Sequence, residues 1–391
     1  MMLLAPVLLL AGTLAAKTED MRSVAYASNN FTVRFAQYLK KASPDKNMVF
    51  SSVSASTVLA GLAEGAAGNT RAQLLSALGL ADDDDLIRSG YRSMIASYDA
   101  STKANVTLNM ADAFFVATGF TPKASFVSMM RSDFQSLVQT VDFSASPEAR
   151  INSWVSEHTS GKIQKLYETG DLSPSTYLVL ANAVYFKGVW KTSFRKSFTS
   201  QQPFHLSSGK TVTVDMMTTT STFVVYSDSS LGAQVLDIPY SGGELKMVIV
   251  LPNAVDGLEK TIQNLKDVPT PGSSASALKY NIFIPKFKIT SSIMVDEMIQ
   301  SFGVTDAFSG SADFSRISDE SINLSSVKQK AFLEVNEEGT EAAAVTGAAV
   351  NGPGPVNPDE TPSFTVDHPF LYFIVHVPTE TAVFSGFVVD P

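Results

Sequence analysis

Residues 334–364, EVNEEGTEAAAVTGAAVNGPGPVNPDETPSF, carry the most unusual spacing in the chain. Read as a strand from Thr340, this stretch puts alternate side chains on opposite faces. One face carries Thr340, Ala342, Ala344, Thr346, Ala348 and Val350, all small and uncharged; the other carries Glu341, Ala343, Val345, Gly347 and Ala349. Proline, which cannot donate to a central ladder, is absent until Pro353. The chemistry on offer is backbone hydrogen bonding: about a dozen bonds at roughly 0.5–1.5 kcal/mol each amount to on the order of 10 kcal/mol if the strand enters a sheet. That is comparable with the stability of a whole domain. A fold that withholds the strand is metastable, and cutting the chain beyond it releases it. Composition alone also permits a linker or a helix, since Ala342, Ala343 and Ala344 favour helix locally. The strand-like Phe332, Leu333, Glu334 and Val335 before the run, and Pro353, Pro355, Pro358 and Pro362 after it, frame the insertion reading.

Conventional catalytic sets are missing. The four histidines, His158, His205, His368 and His376, have neither a glycine-flanked nucleophile nor metal-ligand spacing. Cysteine is absent, which excludes thiol nucleophiles and cysteine zinc sites. No dinucleotide or phosphate-loop motif occurs. No cofactor, no metal and no enzymatic activity are therefore expected.

Residues 24–40, 54–62 and 71–78 place apolar side chains at helical intervals. From Tyr177 the texture changes to short β-branched or aromatic runs, among them YLVLANAVYF, LDIPY, KMVIVLP and LYFIVHV, separated by turn residues. Several are apolar at nearly every position, as strands covered on both faces are. A helix-rich half followed by a strand-rich half predicts an α+β fold. With 391 residues, 45% hydrophobic and 17% charged, the chain can bury one large core. The Pro/Gly/Ser stretch at 269–276 is short enough to be a surface loop within a single domain.

Residues 1–16 are apolar and the chain turns polar at Lys17, which suits a secretory signal and is short for a membrane span. Residues 17–391 then form an extracellular domain, and the sequons at Asn30, Asn105 and Asn323 become candidate N-glycosylation sites. A formal net charge of −9 argues against nucleic acid, which needs clustered Lys and Arg. The run Asp82, Asp83, Asp84, Asp85 reads as a solvated loop, because adjacent carboxylates lack the spacing of a calcium loop.

The stretch EVNEEGTEAAAVTG resembles the hinge of the serpin family, and further matching motifs follow in the family's order: NMVFSSVSAS (47–56), INSWVSEHTSGKI (151–163), LANAVYFKGVWKTSF (180–194), LDIPY (236–240), IPKFKI (284–289), FGVTDAFSGSADFSRIS (302–318) and DHPFLYFIVH (367–376). The resemblance implies three β-sheets surrounded by helices, with a reactive-centre loop at about 337–364 exposed as protease bait. A target serine protease forms an acyl-enzyme with the loop and is carried off and deformed as the loop inserts. In that scheme Glu337 and Glu338 open the hinge, Gly339 is its pivot and Thr340 is the first side chain to enter, followed by Glu341, Ala342, Ala343 and Ala344. Ser54 and Asn182 match the polar cluster where the central strands part; Gln329 stands where the family usually has histidine, so opening should lack a histidine-dependent pH term. Phe387 stands where the family often has Arg.

The family's spacing from the hinge puts the cut at Pro353–Gly354, whereas counting back from His368 puts it later, because the loop is longer than usual. Val356–Asn357 is the favoured bond and Val350–Asn351 the alternative. Residues 339–391 contain no Lys or Arg, which disfavours trypsin-like proteases and favours an elastase-like one. The extra length keeps a non-inhibitory role, as carrier or protease substrate, as the second reading. Arg88 and Arg92 are too few for a heparin site. A monomer without nucleic-acid or membrane partners is expected.

Overall fold

The computed structural model describes residues 4–102, 105–272, 275–340 and 361–391. Its helices are α1 (Leu4–Ala42), α2 (Ser52–Gly65), α3 (Gly68–Leu78), α4 (Asp84–Ser101), α5 (Ala124–Asp133), α6 (Pro147–His158), α7 (Leu258–Asn264) and α8 (Val295–Ser301). Its strands are β1 (Met48–Phe50), β2 (Val106–Ala117), β3 (Leu137–Val141), β4 (Leu178–Val189), β5 (Ser200–His205), β6 (Thr211–Asp228), β7 (Ala233–Pro239), β8 (Leu245–Pro252), β9 (Ala277–Pro285), β10 (Phe287–Met294), β11 (Leu324–Asn336), β12 (Gly339–Thr340), β13 (Ser363–Thr365), β14 (Phe370–His376) and β15 (Thr381–Val388). Among the described residues no helix is long and apolar enough to cross a membrane.

Two helices begin where a side chain supplies a missing acceptor. The Ser51 side chain caps α2 by accepting from the Ser54 N–H, and Asp83 caps α4 by accepting from Leu86. Asp84 and Asp85 occupy the first turn of α4, where carboxylates suit the helix dipole. The acidic run is therefore not merely a solvated loop. Asp82 and Asp84 also accept from Arg71, at 2.7 and 2.6 Å. Beyond its cap α4 buries Ile87, Tyr91, Met94, Ile95 and Tyr98, a stripe at helical spacing, whereas α2 is buried on every face.

A six-stranded sheet runs β10-β11-β12-β4-β2-β3, and a nine-stranded one runs β1-β15-β14-β8-β7-β6-β9-β13 with β5 added beside β6. Two of the three expected sheets are thus one continuous ladder. The long β6 makes the join: it pairs with β5 through Met216, with β9 from Met216 to Val224, and with β7 from Val224 onward. Within the six-stranded sheet β4 is buried at almost every residue, as its unbroken apolar run predicts. Leu180, Val184 and Phe186 face the main core with α2, while Val179, Ala181, Ala183 and Tyr185 join Ile151 and Val155 of α6 on the other face. Asn182 alternates with the first set, so a polar side chain is directed into the main core.

One ionic network ties the helices together. Glu64, buried at the end of α2, accepts from Arg71 of α3 at 3.0 Å and from Arg88 of α4 at 2.5 Å. Removing the carboxylate leaves the buried Arg71 guanidinium short of a partner, so Glu64→Ala should cost about 3–5 kcal/mol. Urea unfolding of the variant checks this; a loss below about 1 kcal/mol would mean that Asp82 and Asp84 carry the site alone.

Candidate functional site

The parallel neighbours β4 and β11 meet along a seam whose register runs from Leu324↔Leu178 to Phe332↔Tyr185. Past Phe332 the two strands part and β12 fills the gap. It pairs with β11 through Val335↔Thr340 and Asn336↔Gly339, and with β4 through Gly339↔Val189 and Thr340↔Gly188. The reversal that brings it there is held by Asn336, whose Oδ1 accepts from the N–H groups of Glu338 (3.1 Å) and Gly339 (3.3 Å). Gly339 has φ +153° and lies on the backbone of β4: a Cβ there would overlap the Gly188 carbonyl oxygen and sit 2.8 Å from Val189 Cα. Only glycine fits such an approach.

Thr340 is completely buried, with its hydroxyl 2.6 Å from that of Tyr240. The Tyr240 ring stacks on Trp190 at 4.5 Å, and the Trp190 indole N–H donates to the Asn336 carbonyl at 2.9 Å. Glu337 is buried too, accepting from Thr199 (2.8 Å) and facing Lys286 (3.2 Å). Burial alone would raise its carboxyl, but its own N–H, Thr199 and Lys286 hold it below the usual range. Glu338 pairs with Lys196 at 2.8 Å through one oxygen; the other is buried with no partner among the described residues. Glu341, Ala342, Ala343 and Ala344 and the candidate cut bonds Val350–Asn351, Pro353–Gly354 and Val356–Asn357 lie outside the described residues. Trp190 and Tyr240 lie in two of the sequence motifs, but only strand pairing shows that they close over Thr340.

Lower in the seam the polar cluster is assembled, with Ser54, Asn182 and Gln329 together. Gln329 faces Asn182 in register and donates to its Oδ1 at 2.5 Å. The same amide donates to the Ser51 carbonyl (2.8 Å) and accepts from the Ser51 N–H (2.9 Å), binding β11 to the head of α2. A fourth member was not evident from sequence: Asp112 of β2, whose Oδ1 accepts from Ser54 Oγ at 3.0 Å and from Asn182 Nδ2. Burial pushes its carboxyl up to about 7, more than the two hydrogen bonds lower it. Gln329 brings no titrating group to the seam, but Asp112 does.

The connection from α6 to β4 lies across the seam as a strap. Asn152 of α6 holds it by accepting from the Leu166 and Tyr167 N–H groups and donating to the Tyr167 carbonyl. On β11 the strap is gripped by Tyr167 on Ser326 (3.2 Å), Asp171 on Lys328 (3.1 Å) and the Lys165 carbonyl on Lys330 (2.5 Å). A strand placed between β4 and β11 has to pass beneath these contacts.

The histidines are held by structure around them. His376 is buried with Nε2 2.8 Å from Ser101 Oγ, yet its Nδ1 faces the Thr379 hydroxyl rather than a carboxylate, and burial lowers its pKa to about 4. His368 bridges Asp367 and the Pro252 carbonyl, His158 lies on Trp154, and His205 faces Thr211. Phe387 is buried, with Lys40 5.4 Å from its ring centre. Of the sequons, Asn105 is exposed in a turn before β2; Asn30 is half-buried on α1 beside a fully buried Thr32, and Asn323 is half-buried between buried Ile322 and Leu324.

If the strap holds the seam shut, Lys328→Ala combined with Tyr167→Phe should speed amide exchange of the β11 residues facing β4 by about tenfold, the effect of roughly 1–1.5 kcal/mol. Hydrogen exchange read by mass spectrometry measures it; unchanged protection would show that the strap rests on the seam without securing it.

A family model described as Serpin (serine protease inhibitor) matches residues 26–391. Antichymotrypsin-2 of Bombyx mori is 35% identical over 353 residues, 89% of this chain and 93% of that protein. Leukocyte elastase inhibitor A of Mus musculus is 36% identical over 385 residues, 95% of this chain and 100% of its own length. Among solved structures, Serpin48, a highly specific serpin of the insect Tenebrio molitor, superposes with a TM-score of 0.86 at 30% identity, covering 94% of this chain and 98% of that one. Agreement in sequence and fold over this much of the chain shows that the protein belongs to the serpin family.

Proposed function

We propose that this serpin is a secreted inhibitor of serine proteases that works once per molecule: an elastase-like protease cuts the loop after the hinge, and residues from Thr340 onward enter the seam between β4 and β11 before the acyl-enzyme is hydrolysed. The observation that carries this reading is the state of β12. Thr340 is seated between the two strands at zero exposure, while the seam below remains closed. The inserting face beyond it, Ala342, Ala344, Thr346, Ala348 and Val350, carries nothing bulky or charged that would oppose burial.

The names of relatives point to elastase, chymotrypsin and trypsin inhibition alike, so loop chemistry has to choose. Residues 341–363 offer no Lys or Arg for a trypsin-like pocket, and no aromatic, Leu or Met for a chymotrypsin-like one. Small β-branched residues remain, which suit a shallow pocket, with Val356–Asn357 as the favoured bond and Val350–Asn351 or Pro353–Gly354 as alternatives. The long proline-rich loop supports the second reading, a carrier or substrate: slack after insertion would deform the protease less. Secretion is supported by the apolar residues 1–16, with residues 17–391 as the mature domain.

The deciding experiment mixes the purified protein with an elastase-like and a trypsin-like protease, looks for an SDS-resistant complex and weighs the released C-terminal peptide. A complex with the elastase-like enzyme alone is expected, whereas clean cleavage without a complex would favour the carrier reading. Thr340→Arg should abolish the complex while leaving cleavage intact, because an unpaired charge would have to sit in the buried first position between β4 and β11 from which insertion proceeds; a persisting complex would show that Thr340 does not lead the insertion. In a secretory host, Asn105→Gln should remove a glycosidase-sensitive mass shift. An unglycosylated wild-type product would count against the exposed sequon.

A further inference from the structure

Asp112 is unusual in being an acid at the centre of a chain of polar contacts that runs from β11 through β4 and β2 to α2. It faces Asn182 in register across β2 and β4, and is 6% exposed. Its Oδ1 receives both Ser54 and Asn182, Asn182 receives Gln329, and Gln329 grips both backbone groups of Ser51. Parting β4 from β11 by one strand, about 4.8 Å, breaks the Gln329–Asn182 bond and admits water to the cluster.

We propose that Asp112 is a proton-operated lock on the seam: the neutral carboxyl keeps β4 and β11 closed, and its ionisation speeds uptake of a strand between them. This rests on the insertion reading of the loop.

No cation offsets the charge. Among the described residues its neighbours on α2, β4 and β11 are neutral: Ser54 and Asn182 bond to it, Thr57 lines the same cavity, and Gln329 reaches it through Asn182. A cavity of about 390 Å³ reaches Asp112 from the side of α4 and α6, lined among others by Tyr98, Asp99, Glu157 and His158. Asp99 and Glu157 are acidic side chains and bring no cation to the carboxyl. His158 is the one group there able to turn positive, and its Nδ1 lies 2.8 Å from the Trp154 carbonyl.

The sign follows from linkage. Burial raises the carboxyl in the closed seam to about 7, whereas a parted, wetted seam returns it toward the ordinary value near 4. The closed form thus binds the proton more tightly. Its extra stability is complete below about pH 4, declines as pH rises and is gone once pH passes about 7.

The test follows uptake of a synthetic peptide with the sequence of residues 339–350 into the full-length protein, wild type and Asp112→Asn, at about pH 5.5 and about pH 8. The wild type should take up peptide roughly five- to tenfold faster at the higher pH, while Asp112→Asn, isosteric and unable to ionise, should be slow and flat. Asp112→Ser, which also lacks the titrating proton, gives an independent comparison. Equal pH ratios in wild type and both variants would overturn the lock. Uptake by none of them at any pH would instead overturn the insertion reading, and the urea midpoint then reads the lock separately: wild type should lose stability relative to Asp112→Asn between about pH 5.5 and 8, and parallel curves would overturn it.

Discussion

Everything in this molecule answers to the direct pairing of β4 with β11. The two are parallel neighbours in a sheet whose other central pairings are largely antiparallel. Antiparallel insertion of a strand from the end of β11 would give each a better-aligned partner. The chain already begins this arrangement with Gly339 and Thr340 and goes no further within the described residues. On the proposed insertion the sheet is one strand short of its most complete hydrogen bonding, and the surrounding features can be sorted by whether they keep it so or let it change.

Two kinds of contact keep it so. Along the seam, apolar side chains cover both faces of β4, giving the closed form ordinary core packing. At one level that packing is interrupted by Ser54, Asp112, Asn182 and Gln329, a network that is favourable only while every member is satisfied. Such a network resists small distortions and gives way as a unit. The strap from α6 adds a second barrier on the opposite face, built from long Lys side chains and a tyrosine. Contacts of that kind are separately weak and exchange readily with water, so the barrier they form is one that loop insertion could displace.

The sequence made some of this plain and hid the rest for physical reasons. The run from Glu334 stood out because small residues between a strand and prolines are rare; Ser54 and Asn182 lie in motifs that resemble the family's, and Gln329 was singled out as the residue in place of the family's usual histidine. Asp112 was not: in MADAFF it looks like one polar residue of an alternating strand, and its burial depends on partners 58 and 70 positions away. Tyr240 and Trp190 were visible as strand-end aromatics, while their closure over Thr340 depends on a pairing 100 residues long. The acidic run at 82–85 was read from composition, yet its role is set by Arg71 and by the start of α4. Two of the three sheets that the resemblance implied are continuous because β6 is a single 18-residue strand that changes partners along its length.

The chain has two tryptophans, and the fold assigns them to different moving parts. Trp190 is stacked on Tyr240 and hydrogen-bonded to the hinge at Asn336. Trp154 lies on α6 against His158 and Phe115, on the side from which the strap is anchored. The molecule thus carries a built-in pair of optical reporters. Emission from Trp190 is sensitive to departure of the hinge, and emission from Trp154 to displacement of α6, since its contact with the His158 ring is local to that helix. Replacing either one with phenylalanine isolates the other, so the order in which the hinge moves and the helix lifts is open to time-resolved fluorescence without any attached dye.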